Sequence, residues 1–370
     1  MTPEESKIAD EHMSVLARLM VRGYAQDFTS PVDELGELQP SVDYVARLNE
    51  EQFTGFLRLA DMHHVTVRAL QVVEKAGSGN RELVARCQNV LVPERQRIAH
   101  AVEFLAPVCA ALEAAGTKTA VIKSLDHWPD LGSDLDLYTT GDPRTVWETM
   151  SLKFQAKQEG RSWGDRLANK WNFNVPGLPE LIEIHVRYLG QTGEHKNMAR
   201  RIIERSLTKT VGGRTFRVPA PEERILISTL QRMYRHFYFR LCDMADVSAL
   251  IKRQEVNFSE LRRAAEAAGI WRGVSSFLLL VSEYVKSHGG SLEVPAEVLR
   301  DAYSPDLRVH FRDNFLRVPL GPAASLYAKQ LLHAGKHGDL RALFRLPLLP
   351  PLALSALVAF RLTGSDKGVW

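Results

Sequence analysis

The chain has 370 residues, 45% hydrophobic and 25% charged, and its 47 Lys and Arg against 44 Asp and Glu leave a net charge of +3. Such proportions exclude a disordered polymer, a collagen-like repeat and a polytopic membrane protein. The small positive excess gives no argument for a nucleic-acid-binding protein, which carries a basic face or stripe. Cys87, Cys109 and Cys242 are odd in number, widely spaced and without a CxxC or Cys/His metal spacing, so neither a disulfide framework nor a structural zinc site is expected. The opening MTPEESKIADEH is polar and acidic, unlike a secretory signal, and a soluble cytoplasmic protein is the expectation.

Residues 1–115 read as helices. Thr2-Pro3-Glu4-Glu5 starts the first, Pro93 stands where another begins, and Gly116 closes the last as a glycine just past a helix end. His63 and His64 follow Asp61 and Met62; adjacent helical positions point about 100° apart, so the two rings would not converge on one ion and a polar helix surface is expected. Residues 116–218 change character. Short strand patterns appear at Thr119–Ile122, Leu135–Tyr138, Lys170–Val175 and Leu181–Val186, with a helix starting at Asp142-Pro143. A hairpin fits Leu207–Thr210 and Thr215–Val218 around Gly212-Gly213. Lys153, Lys157, Arg161, Arg166 and Lys170 read as a solvated loop, or alternatively a mobile basic loop over a polyphosphate; Trp163 and Trp171 read as core.

Helical periodicity returns over 219–340. There Gln231, Tyr234 and Tyr238 share a face with Arg235 beside them, and Asp243 and Asp246 are the expected partners of Arg240. The tail, 341–370, holds the uncharged stretch Leu346–Phe360, fifteen residues interrupted by Pro347, Pro350 and Pro351. That is short of the roughly 20 residues a spanning helix needs. Docking on the helical core is the expectation, with weak contact to a membrane surface or a protein partner as alternatives.

Chemistry concentrates at Gly132-Ser133-Asp134-Leu135-Asp136-Leu137. Carboxylates two apart on a strand leave the same face and repel unless a cation lies between them, and hard Mg²⁺ prefers such oxygens. Leu135 and Leu137 point the other way. Downstream, LIEIHV puts Glu183 and His185 on one face; Glu183 completes a three-carboxylate site if its strand lies beside the first, and otherwise lines a wet sheet face. Lys123, at a strand end near two acids, fits either a phosphate or a salt bridge to Asp134.

VIKSLDHWPDLGSDLDLYTT resembles the metal-binding core of the polymerase-β-like nucleotidyltransferase superfamily, and the chain is similar to its bacterial uncharacterised nucleotidyltransferase family. The matching stretches are Lys123-Ser124, Trp128-Pro129-Asp130, Asp134-Leu135-Asp136-Leu137, Glu183-Ile184-His185-Val186-Arg187, and Arg240-Leu241 with Asp246. The resemblance implies an α+β fold: a small mixed nucleotidyltransferase-type β-sheet core flanked by N-terminal and C-terminal helical regions. It implies a Mg²⁺-dependent enzyme, with Mn²⁺ as a substitute, that moves a nucleoside monophosphate from an NTP to a hydroxyl-type acceptor with release of pyrophosphate. Asp134, Asp136 and Glu183 would hold the metal, while Lys123, Ser124, Gly132 and Ser133 would cradle phosphate. His185, Arg187, Tyr234 and Arg240 would meet substrate. Ser124 stands where the family carries glycine, and Glu183 where it carries an acid that elsewhere in the superfamily is Asp. The alternatives are a catalytically silent nucleotide-binding or interaction module and a toxin-like tRNA nucleotidyltransferase.

Overall fold

A computed structural model describes residues 3–24 and 36–363; Thr2 of the expected helix start and residues 364–370 of the tail lie outside them. α1 (Pro3–Arg18) continues into a wider π-helical stretch, Leu19–Tyr24, and α2 (Gln39–Arg47), α3 (Glu50–Met62), α4 (Thr66–Ala76) and α5 (Arg81–Ala114) follow. α3 begins with a reciprocal cap: Asn49 Oδ1 accepts from Gln52 N at 2.9 Å, and Gln52 Oε1 accepts from Asn49 N at 3.1 Å. α5 is one helix of 34 residues, with Pro93 and Pro107 inside it, so Pro93 does not start a helix as expected. Its buried stripe (Leu83, Cys87, Leu91, Ile98, Leu105, Leu112) runs past both prolines, and packing along it outweighs the ~3 kcal/mol that an interior proline costs. Gly116 ends it at φ +77, as the sequence predicts.

The chain then lays down β1 (Thr119–Val121), β2 (Asp134–Thr139), α6 (Pro143–Glu148), β3 (Lys157–Gln158), α7 (Trp163–Ala168), β4 (Lys170–Asn174), β5 (Leu181–Val186) and α8 (Lys196–Glu204). The strands form a five-stranded mixed sheet in the order β1-β2-β5-β4-β3. β2 and β5 are parallel neighbours, in a register that pairs Asp136 with Glu183 and Tyr138 with His185. β4 runs antiparallel to β5 and sets Lys170 opposite His185. Period-2 alternation sends Leu135, Leu137, Ile182 and Ile184 into the core and leaves Asp134, Asp136 and Glu183 on the other face. β6 (Ser206–Val211) and β7 (Arg214–Pro219) form a separate hairpin sheet, turned through Gly212 (φ +54) and Gly213 (φ +72). Both turn positions need the left-handed region that glycine enters freely.

The C-terminal half comprises α9 (Pro221–Thr229), a second π-helical stretch over Leu230–His236, β8 (Tyr238–Phe239), α10 (Leu241–Lys252), α11 (Phe258–Ala267), α12 (Trp271–Ser287), α13 (Ala296–Leu299), β9 (His310–Arg312), β10 (Phe315–Arg317), α14 (Leu320–Lys336), α15 (Leu340–Arg345) and α16 (Leu349–Thr363). The three-stranded sheet β8-β10-β9 breaks the expected all-helical reading of 219–340; strands of two or three residues are too short to show a period. One buried apolar cluster extends from Met13 to Leu326 and takes in the five-stranded sheet. The fold is thus α+β, with the helical regions and the sheet sharing a core. A second cluster of Ala334, Ala342, Leu346 and Leu349 docks the start of the tail on α14. Pro350 and Pro351 fall in the first turn of α16, where the missing N–H groups have no helical partner to lose, so they open this helix rather than interrupt it.

Candidate functional site

β1 ends in a sharp reversal at Lys123 (φ 59, ψ −63), closed by Ser124 N–H on Ile122 O at 2.6 Å. This is a γ-turn of the rarer, strained hand. It aims the Lys123 ammonium at Asp136, with Glu183 3.8 Å away. Asp136, not Asp134, is therefore the salt-bridge partner. Ser124, expected to cradle phosphate, has its hydroxyl engaged by β2: Oγ accepts from Asp136 N at 2.8 Å and donates to Asp134 O at 3.1 Å.

The loop from Ser124 to Ser133 is pinned by buried polar groups from four directions. Asp130 accepts from Val67 N (2.6 Å) and Arg68 N (3.3 Å) in the first turn of α4 and from Arg68 Nε (2.7 Å). A carboxylate at a helix N-terminus satisfies donors that the helix itself leaves open. Arg68 reaches on to Asp246 of α10 at 2.6 Å, and His127 Nδ1 donates to the same carboxylate. Arg224 holds Asp126 at 2.7 Å, and Lys209 Nζ donates to Leu125 O at 2.6 Å. Asp243 pairs with Arg232 at 2.7 Å and accepts from the backbone N–H of Arg240. The expected pairing of Asp243 and Asp246 with the Arg240 side chain does not form, because both acids are taken by arginines that the fold brings closer.

Asp134, Asp136 and Glu183 line one cleft. Burial, and then the charges of Asp136 and Glu183, raise the Asp134 carboxyl above its usual value. Glu183 goes the other way. Its burial alone would raise it, but the hydrogen bond from His185 Nε2 (2.8 Å) and the charges of Lys123 and Lys170 hold it well below the ordinary carboxylate range. Ligand atoms of Asp136, Glu183 and His185 lie within 4.8 Å of one another, a donor set able to hold a metal ion. His185 sits behind Glu183, at 3.6 Å from Asp136, and does not line the cleft. Lys170, the last of the five basic residues, opens β4 where the strand pattern begins, and bonds Glu183 and Asp165, each at 2.9 Å. Asn169 at φ +53 closes α7 immediately before it.

The opposite wall comes from the π-helical stretch and β8: Gln231, Arg232, Arg235, His236, Tyr238 and Arg240 line it. A π-helix closes i to i+5 and turns less per residue than an α-helix, so positions three apart are rotated farther from one another. Tyr234, expected at the substrate, turns away and packs over Gly273 of α12, where an added Cβ would meet its hydroxyl at 2.3 Å. The buried Nε donors of Arg235 and Arg240 have no hydrogen-bond partner among the described residues. Burial, followed by the charges of Arg235, Arg232, Arg240 and Lys123, holds the His236 imidazole well below its usual range.

Arg187 is also away from the cleft. At the far end of β5 it adopts φ +65 and donates to Gly141 O at 2.8 Å. Trp163, expected in the core, is 63% exposed at the first position of the short α7, whereas Trp171 is half-buried under Arg161.

His63 and His64 do not form a polar surface. The helix breaks there, His64 at φ +52, and the ring of His64 accepts from Arg240 at 2.9 Å in the cleft wall. Its edge meets His127, with ring centroids 5.6 Å apart. His63 is fully buried, accepting from Leu241 N at 2.9 Å and donating to Asn314 O at 2.9 Å. Burial lowers it from 6.5 to about 4. The unfolded chain therefore takes up this proton first as the pH falls, and stability present above pH 6.5 is lost on the way down to about 4. At 1.36 kcal/mol per pH unit this amounts to about 3 kcal/mol. Urea unfolding at pH 7 and pH 4.5 checks it: His63→Gln, which keeps one donor and one acceptor, should show a shallower decline than the parent chain.

A family model described as an uncharacterised nucleotidyltransferase matches residues 132–286. That span holds β2, β5 and the arginine-bearing wall. No curated protein matches the chain. A solved structure described as an antigenic nucleotidyltransferase-like protein from Paracoccidioides brasiliensis is 16% identical, over 54% of this chain and 97% of that one, with a TM-score of 0.32.

Proposed function

We propose that the chain is a metal-dependent nucleotidyltransferase that moves a nucleoside monophosphate from an NTP to a hydroxyl-type acceptor. One observation carries the reading: three carboxylates on one sheet face share a cleft with arginines whose buried Nε donors lack partners among the described residues. A buried donor without an acceptor is costly, and an anionic ligand relieves it.

The donor set fits a hard divalent cation. Asp134 has its carboxyl raised by burial and then by its acidic neighbours, and among the described residues its carboxylate accepts from Ser133 Oγ at 3.3 Å. Asp134, Asp136 and Glu183 would hold the ion, with His185 behind them. The chemistry that bound Mg²⁺, or Mn²⁺ in its place, supplies is neutralisation of triphosphate charge and a lowered pKa for the attacking hydroxyl. Lys170 and His185 keep Glu183 ionised and fixed. Lys123, Arg235 and Arg240 bind phosphate oxygens, so the leaving pyrophosphate stays within a cationic wall. The cleft, ≈ 230 Å³, is smaller than the roughly 300–1,000 Å³ of sites that engulf a whole ligand. It takes the phosphates and leaves the base and the acceptor at its mouth.

Calorimetry tests the binding half of this reading. Each NTP is titrated with and without Mg²⁺ into the parent chain and into Arg240→Ala. Mg²⁺-dependent binding that weakens about tenfold or more in the variant supports it, since a charged hydrogen bond contributes ~1.5–3 kcal/mol. Absence of binding to any NTP refutes it.

A further inference from the structure

The tail carries a surface that the nucleotide site does not use. After docking through Leu346 and Leu349, the chain continues as α16, 15 residues with Leu354, Val358 and Leu362 exposed at 63%, 48% and 79%. On α15 and the turn after it, Leu340, Phe344 and Leu348 are exposed at 66%, 77% and 39%. Each trio is spaced by four, so each forms one stripe along its segment. Helices this apolar belong in an environment that removes them from water.

Charge decides which environment. From α14 to α16, residues 320–363 hold five Lys and Arg against one Asp, a net of +4 where the whole chain carries +3. Lys329 and Lys336 on α14 are exposed. Two copies of this face would bring like charge together, whereas an anionic surface complements it. At 1.5 Å per residue α16 reaches about 22 Å, short of the ~30 Å hydrocarbon core of a bilayer. No helix among the described residues is long and apolar enough to cross a membrane. Arg345, whose guanidinium donates to Leu167 O at 2.6 Å, fixes the base of the tail against the sheet region.

We propose that α15 and α16 dock the protein on an anionic lipid bilayer, with the apolar stripes entering the interface and the exposed Lys329 and Lys336 meeting headgroups.

Flotation of the full chain with vesicles tests this. It should float with phosphatidylcholine vesicles containing phosphatidylglycerol, float poorly with phosphatidylcholine alone, and come off as salt is added. Leu354→Glu combined with Val358→Glu should weaken binding roughly 100-fold, as expected for two apolar side chains lost from the interface, with an unchanged circular dichroism spectrum. The proposal is overturned if the parent chain ignores phosphatidylglycerol vesicles or if the double variant binds as well as the parent. It is also overturned if sedimentation shows a parent dimer that the double variant dissolves while neither chain floats, because a second copy then covers the face.

Discussion

Asp136→Asn should lower nucleotidyl transfer about 10³-fold, the scale of several kcal/mol of lost charge stabilisation at the reacting phosphate. Asp136 stands at the centre of the acidic face. It is the register partner of Glu183, it faces the Lys123 ammonium, and its backbone N–H is fixed by Ser124 Oγ at 2.8 Å. Asparagine keeps the shape and that backbone bond and removes only the charge. The variant should therefore fold with the parent's circular dichroism spectrum and melt cooperatively. Activity is read as release of pyrophosphate with each NTP; transfer surviving at the parent's rate would remove Asp136 from the site.

The largest effect on stability is expected at Arg68. Its side chain is 1% exposed and lies between Asp130 and Asp246, at 2.7 and 2.6 Å. Arg68→Met fills much of the same volume but removes the guanidinium that two buried carboxylates share, and breaking a buried pair in this way costs about 3–5 kcal/mol. Asp130 and His127, which the network holds, belong to the loop that enters β2. The loss should therefore appear both in the urea midpoint and as weakened NTP binding at temperatures where the variant is still folded. A variant as stable as the parent would show that the network is incidental.

The acidic face was the most legible part of the chain. Alternation in DLDLYT and LIEIHV assigns Asp134, Asp136 and Glu183 to one side of their strands without any knowledge of the fold. That β2 and β5 are parallel neighbours is a tertiary fact, fixed by how the intervening β3–α7–β4 segment folds back, and no local pattern contains it. The cationic wall was misread in detail for a different reason. Helical spacing of three and four sets Gln231, Tyr234 and Tyr238 on one face beside Arg235; the π-helical stretch followed by Phe237 at φ +56 keeps Gln231, Arg235 and Tyr238 at the cleft, adds His236 and turns Tyr234 out. His64 was dismissed because neighbouring positions on a helix diverge. The divergence is real, but the helix ends at Met62, and it is this ending that sends His64 into the cleft. In the tail, three prolines suggested interruption, while their positions ahead of and within the first turn of α16 allow the helix to form.

Turnover at the acidic face is followed through the α-phosphate of the nucleotide. The purified chain is incubated with α-³²P-labelled ATP, CTP, GTP or UTP, Mg²⁺ and cell extract, beside Asp134→Asn and Asp136→Asn. Label from at least one nucleotide should move to an acceptor, pyrophosphate should appear in equal amount, and both variants should abolish the transfer. NTP binding without transfer of label, or transfer that persists in both variants, would contradict turnover at this face.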